Sequence, residues 1–132
     1  VRPRRVYETV LYAEDVAATA AFYAEVLGLR LVDGPDELAA AFRLDDGGVL
    51  LIFDPGRSAR PGRPVPSHGT EGASHLAFAV GAGELDAAAE ELRERGVEIE
   101  REVDWPQGGR SIYIRDPAGN SVELVEGDLW PS

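Results

Sequence analysis

The chain has 132 residues, the size of one domain or of two small modules sharing a core. Its 44% apolar and 28% charged content fits a folded globular protein, and with no cysteine it has no disulfides, thiolate metal sites or cysteine nucleophiles. A formal charge of −11 argues against nucleic acid and anionic membrane surfaces as partners. No apolar run approaches the roughly 18 residues of a membrane span. Arg2, Arg4 and Arg5 lead into a patterned strand instead of an apolar signal segment, so a cytoplasmic location is expected.

Tyr7 to Tyr12 reads as the first strand. Glu14-Asp15 then offers a cap and a negative first turn for a helix over 16–27, with Val16, Ala20, Tyr23 and Leu27 on one face. Gly28 closes that helix. Leu29 to Val32 forms a short strand ending at the turn Asp33-Gly34-Pro35. Residues 38–44 and 49–53 flank Asp45-Asp46-Gly47-Gly48, a hairpin signal. The first module, residues 6–54, is therefore β-α-β-β-β.

Residues 55–73 are dense in Pro, Gly, Ser and Arg and read as a linker. The composition favours a mobile solvated segment; the alternative is that Arg57, Arg60, Arg63 and His68 dress a substrate entrance.

The pattern then repeats over residues 74–126. Ser74 to Val80 alternates as a half-buried strand, with Leu76, Phe78 and Val80 on one face and His75, Ala77 and Ala79 on the other. A helix over 84–95 shows Leu85, Ala88 and Leu92 on one face, and Gly96 closes it as Gly28 closes the first. Residues 97–103 alternate as a strand, 110–115 form another, and Asp116 to Asn120 is a turn before the last strand, 120–125. The offset between matching residues grows slowly from Glu8/His75 through Gly28/Gly96 to Leu51/Glu123, as in a duplicated unit with small insertions. The expected fold is α+β: two pseudo-twofold βαβββ modules forming a curled mixed sheet around a cleft, paired further by homodimerisation.

Two such copies bring equivalent strand positions together, which singles out Glu8, His75 and Glu123. Alone, His75 reads as a structural histidine and each glutamate as a surface carboxylate. Together, one imidazole and two carboxylates make a three-ligand site for a divalent cation (Zn, Ni, Mn, Fe or Co) with coordination positions left open. Tyr12, Trp105 and Tyr113 are core or dimer contacts or the walls of a substrate pocket, to which Arg110 is also assigned. No phosphate-cradling glycine loop and no serine nucleophile elbow is present, so hydride and acyl transfer are not expected.

The stretches Phe22-Tyr23-Ala24-Glu25-Val26-Leu27-Gly28, His75-Leu76-Ala77-Phe78-Ala79-Val80 and Asp116-Pro117-Ala118-Gly119-Asn120-Ser121-Val122-Glu123-Leu124 resemble the vicinal oxygen chelate superfamily. That superfamily includes glyoxalase I, bleomycin resistance proteins, fosfomycin resistance thiol transferases and extradiol dioxygenases. The resemblance covers nearly the whole chain and implies metal positions at Glu8, His75 and Glu123, with Glu8 or Glu123 also shuttling a proton. It departs from the family at two ligand positions. Many members have histidine where Glu8 stands, and a set with two carboxylates suits oxygen activation poorly. Leu51 stands where the glyoxalases carry a fourth ligand. Tyr113 matches a substrate-contacting tyrosine of the fosfomycin enzymes, but residues 104–109 lack their phosphonate loop. The implied function is a metal-dependent lyase or isomerase, or a dioxygenase-like enzyme, acting on a small substrate with vicinal oxygens. The alternative is a metal-free protein that sequesters a planar drug.

Overall fold

The computed structural model describes residues 1–131. The chain divides into two compact units, residues 1–72 and the part from Ala73 onward, so the boundary falls at the end of the expected linker. Each unit is a four-stranded mixed sheet. The first comprises β1 (Glu8–Tyr12), β2 (Arg30–Asp33), β3 (Ala39–Arg43) and β4 (Val49–Phe53) in the order β1-β4-β3-β2. The second comprises β5 (His75–Val80), β6 (Arg101–Asp104), β7 (Arg110–Arg115) and β8 (Ser121–Glu126) in the order β5-β8-β7-β6. In both, the first strand runs parallel to the last and the remaining pairs are antiparallel. This is the expected β-α-β-β-β plan, twice.

In the first unit, Asp15 caps α1 (Val16–Ala21) by accepting from the Ala18 N–H at 3.0 Å. Where one regular helix over 16–27 is expected, the chain widens after Ala21 into a π-helical turn, Phe22–Val26, with the Leu27 N–H donating five residues back to the Phe22 carbonyl. The wider turn carries Leu27 off the buried stripe, leaving it half-exposed beside the fully buried Tyr23. Gly28 then takes a positive φ of 67°, and Gly96 repeats this at 74° after α3 (Leu85–Glu94). Val16, Ala20 and Tyr23 pack against Leu11, Ala40, Phe42, Leu50 and Ile52 from one face of the sheet. In the second unit the core is Leu85, Ala89 and Leu92 over Ile112, Ile114, Val122 and Leu124, so Ala89 and not Ala88 lies deepest.

Two further expectations are corrected. The strand expected over 97–103 is shorter: β6 begins only at Arg101, with the Glu100 N–H donating to the Tyr113 carbonyl of β7 at 2.8 Å just before it, and Val97 and Ile99 are half-buried outside the strand. The segment read as a mobile solvated linker is partly built: Asp54 caps a helical turn, α2 (Pro55–Ser58), and Ser58 is fully buried. The Ser58 carbonyl accepts from the His68 N–H and from an Arg63 guanidinium N–H, which folds the segment back on itself.

The ladders confirm the internal match. Glu8 pairs with Val49 as His75 pairs with Ser121, and Val10 pairs with Leu51 as Ala77 pairs with Glu123.

Candidate functional site

The second unit presents a sheet face that its helix does not cover. Alternation along β5 puts Leu76, Phe78 and Val80 on the helix side, half-buried, and leaves His75, Ala77 and Ala79 exposed. On that exposed face β8 contributes Glu123, directly opposite Ala77 on one side and Tyr113 on the other. Glu123 is only 6% exposed. A buried carboxylate is costly unless hydrogen-bonded, and here Ser111 Oγ donates to its Oε2 at 2.5 Å. Trp105 Nε1 in turn donates to Ser111 Oγ at 2.9 Å. The other oxygen, Oε1, faces His75 Nε2 at 3.3 Å.

The imidazole's second nitrogen decides what lies between them. His75 Nδ1 is 3.1 Å from the Ser121 carbonyl oxygen, which can only accept, so Nδ1 carries the ring proton. In the neutral ring Nε2 then offers a lone pair to a carboxylate oxygen, an arrangement that calls for a positive species between the two. A histidine that donates one N–H to a backbone carbonyl and offers the other nitrogen is the form that binds metals. Donors each about 2.0–2.1 Å from a tetrahedral cation stand about 3.3–3.4 Å apart, which is the separation found. With the ring protonated, the same contact is a loose ion pair. The pair therefore fits a divalent cation in donor chemistry and in spacing.

Tyr113 stacks beside the imidazole, ring centroids 6.2 Å apart and planes 25° from parallel. Burial, reinforced by the neighbouring Glu123 carboxylate, pushes its phenol above the usual range, so it stays a protonated donor. Glu8, the third proposed ligand, is exposed on β1 of the first unit, opposite Val49. Among the described residues no three His, Asp or Glu side chains cluster as a metal-holding group.

The other expected residues fall elsewhere. Arg110 is on the α3 side of the sheet, the face opposite Glu123, because β7 alternates and Tyr113 and Ser111 take the site face. Its guanidinium is paired with Asp86 of α3 at 2.9 Å and Asp104 of β6 at 3.4 Å, so it braces the helix to the sheet edge. Trp105 reaches the site through Ser111. Tyr12 belongs to the first unit, where its hydroxyl meets His68 Nδ1 at 2.7 Å and the His68 ring packs edge-on against Phe53. Arg57, Arg60 and Arg63 line an open cavity of about 510 Å³ in the first unit with Asp36 and Glu37, and Arg57 pairs with Glu37 at 3.1 Å.

Sequence reasoning did not single out Ser111. Its signal lay in the period-two pattern of β7: a small hydroxyl residue two positions before Tyr113, on the same face as the carboxylate. It also gave Asn120 no role. The Asn120 side-chain oxygen accepts from the Ser74 N–H at 2.9 Å, and its amide donates to Asp116, tying the start of β5 to the β7–β8 turn.

A family model described as the Glyoxalase/Bleomycin resistance protein/Dioxygenase superfamily matches residues 5–124. Among solved structures, a lactoylglutathione lyase from Agrobacterium tumefaciens is 39% identical with a TM-score of 0.92, the match covering 98% of each chain. The YaeR protein of Escherichia coli is 31% identical over 130 residues, 93% of this chain and 96% of its own. A lactoylglutathione lyase of Haemophilus influenzae is 25% identical over 128 residues, 92% of each.

Proposed function

The chain belongs to the glyoxalase/bleomycin resistance protein/dioxygenase superfamily, and on that premise we propose that it is a metal-dependent enzyme acting on a small substrate with oxygens on adjacent carbons. The observation that carries this reading is the His75–Glu123 pair: a ring whose Nδ1–H is committed to Ser121 aims its Nε2 at Glu123 Oε1 across a cation-sized gap. In this reading Glu8 supplies the third ligand and the working form is a cytoplasmic homodimer. The cation is Zn, Ni, Mn, Fe or Co, since an imidazole donor favours these over Mg. When bound, it would supply Lewis acidity that polarises the substrate oxygens and stabilises negative charge developing next to a carbonyl.

The chain's own groups do the rest. His75 and Glu123 hold their positions through Ser121 and Ser111. Ala77 and Ala79 leave open floor beside the imidazole for a small molecule. The Tyr113 phenol, hydrogen-bonded to Glu123, stands at the wall of the substrate pocket in this reading. Of the two carboxylates, exposed Glu8 is the better proton carrier, because Glu123 is buried and has one oxygen engaged. This favours lyase or isomerase chemistry by proton transfer over oxygen activation. Leu51 provides no donor, so a four-ligand set of the glyoxalase kind is not part of the reading.

Elemental analysis of protein purified without chelator, followed by titration with Zn(II) and Co(II), tests it. About one equivalent per chain is expected. Less than about a tenth of an equivalent, with no uptake on dialysis, would overturn it in favour of a metal-free binder of planar molecules.

A further inference from the structure

We infer that Trp105 and Ser111 are positioning residues that hold Glu123 as a one-oxygen ligand; this rests on the metal-binding reading above. The polarity of the chain of hydrogen bonds is set by its ends. An indole N–H can only donate, and an ionised carboxylate can only accept. Ser111 Oγ therefore accepts from Trp105 Nε1 at 2.9 Å and must spend its single O–H on Glu123 Oε2. Ser111 is buried within β7, so its hydroxyl is delivered by the sheet backbone, away from competing water.

The consequence is an asymmetric carboxylate. Oε2 is occupied, and Oε1 alone faces His75 Nε2. Without the serine, Tyr113 alone would remain as a hydrogen-bonding side chain on the carboxylate, which would then turn more readily to offer both oxygens to a cation. Trp105 acts one step further out: its N–H fills the serine oxygen's acceptor site and turns the hydroxyl proton toward Glu123. An aromatic that sequence reasoning places in the pocket wall or core thus has its polar edge committed to orienting a ligand. Outer contacts of this kind are worth about tenfold to a hundredfold in metal affinity.

The test compares wild type, Ser111→Ala, Ser111→Thr and Trp105→Phe by competition titration with Zn(II), by the visible absorption of the Co(II) form, and by circular dichroism. Ser111→Ala is expected to bind Zn(II) about tenfold to a hundredfold more weakly, with an altered Co(II) spectrum. Ser111→Thr, which keeps the hydroxyl, should restore both, and Trp105→Phe should shift both in the direction of Ser111→Ala by a smaller amount. If Ser111→Ala fails to fold, Trp105→Phe carries the test alone. Metal binding by wild type with affinity and Co(II) spectrum unchanged in the folded variants would overturn this inference and leave the metal reading standing. No metal binding by wild type would overturn both.

Discussion

Leu51 and Glu123 stand on the same rung of their two sheets, Leu51 opposite Val10 and Ala41, Glu123 opposite Ala77 and Tyr113. The duplication has kept the backbone register while giving one copy a carboxylate and the other an alkyl group. Leu51→Glu is expected to weaken the metal-free protein by about 1–3 kcal/mol, since a half-buried leucine is replaced by an unpaired carboxylate. Thermal melts of the variant and wild type read the effect.

His75→Ala is expected to abolish Zn(II) and Co(II) binding while leaving the fold intact. The His75 side chain is 52% exposed, and its neighbours on that face are alanines, so truncation should change stability by no more than about 0.5 kcal/mol. Circular dichroism and a metal titration on the same sample separate loss of ligand from loss of fold.

Asn120→Ala should destabilise the protein by about 1–3 kcal/mol, because it leaves the Ser74 N–H without its side-chain acceptor and removes a buried hydrogen bond to Asp116. Ser74 immediately precedes His75, so Zn(II) affinity should fall as well. Urea unfolding and the same titration measure the two losses; wild-type values in both would contradict this role.

Much of this was legible in the residues, for identifiable reasons. Period-two alternation fixes which side of β5 carries His75, and the matched glycines Gly28 and Gly96 mark the duplication, since a positive φ has few other occupants. The run from Asp116 to Asn120 could be read as a turn, but its purpose could not. That Asn120 fastens the start of β5 depends on a contact 46 positions away in sequence. Arg110 was misplaced because a single residue carries no sign of which sheet face it takes until the register of β7 is known. Ser111 was missed for the same reason. The π-helical turn at Phe22–Val26 was hidden because its residues satisfy the ordinary helical stripe equally well.

Tyr113 predicts a pH effect. Its folded value is raised, chiefly by burial, so the native state holds the phenolic proton more tightly than the unfolded chain does. The resulting stability is fully present below the unfolded tyrosine value of about 10 and is lost as pH rises through the higher folded value. Wild type should therefore lose more stability than Tyr113→Phe between about pH 9 and 11. Urea unfolding across that range, with phenolate absorbance followed in parallel, gives the comparison; equal slopes would contradict the assignment.

The claim on which the account turns is that His75 Nε2 is an unprotonated donor aimed at a cation shared with Glu123. With only His68 and His75 in the chain, long-range ¹H–¹⁵N correlation spectra of the imidazoles, assigned with a His68→Gln variant, report on this directly. The prediction is a His75 ring protonated on Nδ1 in the metal-free protein at neutral pH, whose Nε2 resonance moves on addition of one equivalent of Zn(II) while His68 stays unchanged. A His75 ring protonated on Nε2, or a Zn(II) addition that shifts His68 and leaves His75 in place, would contradict it.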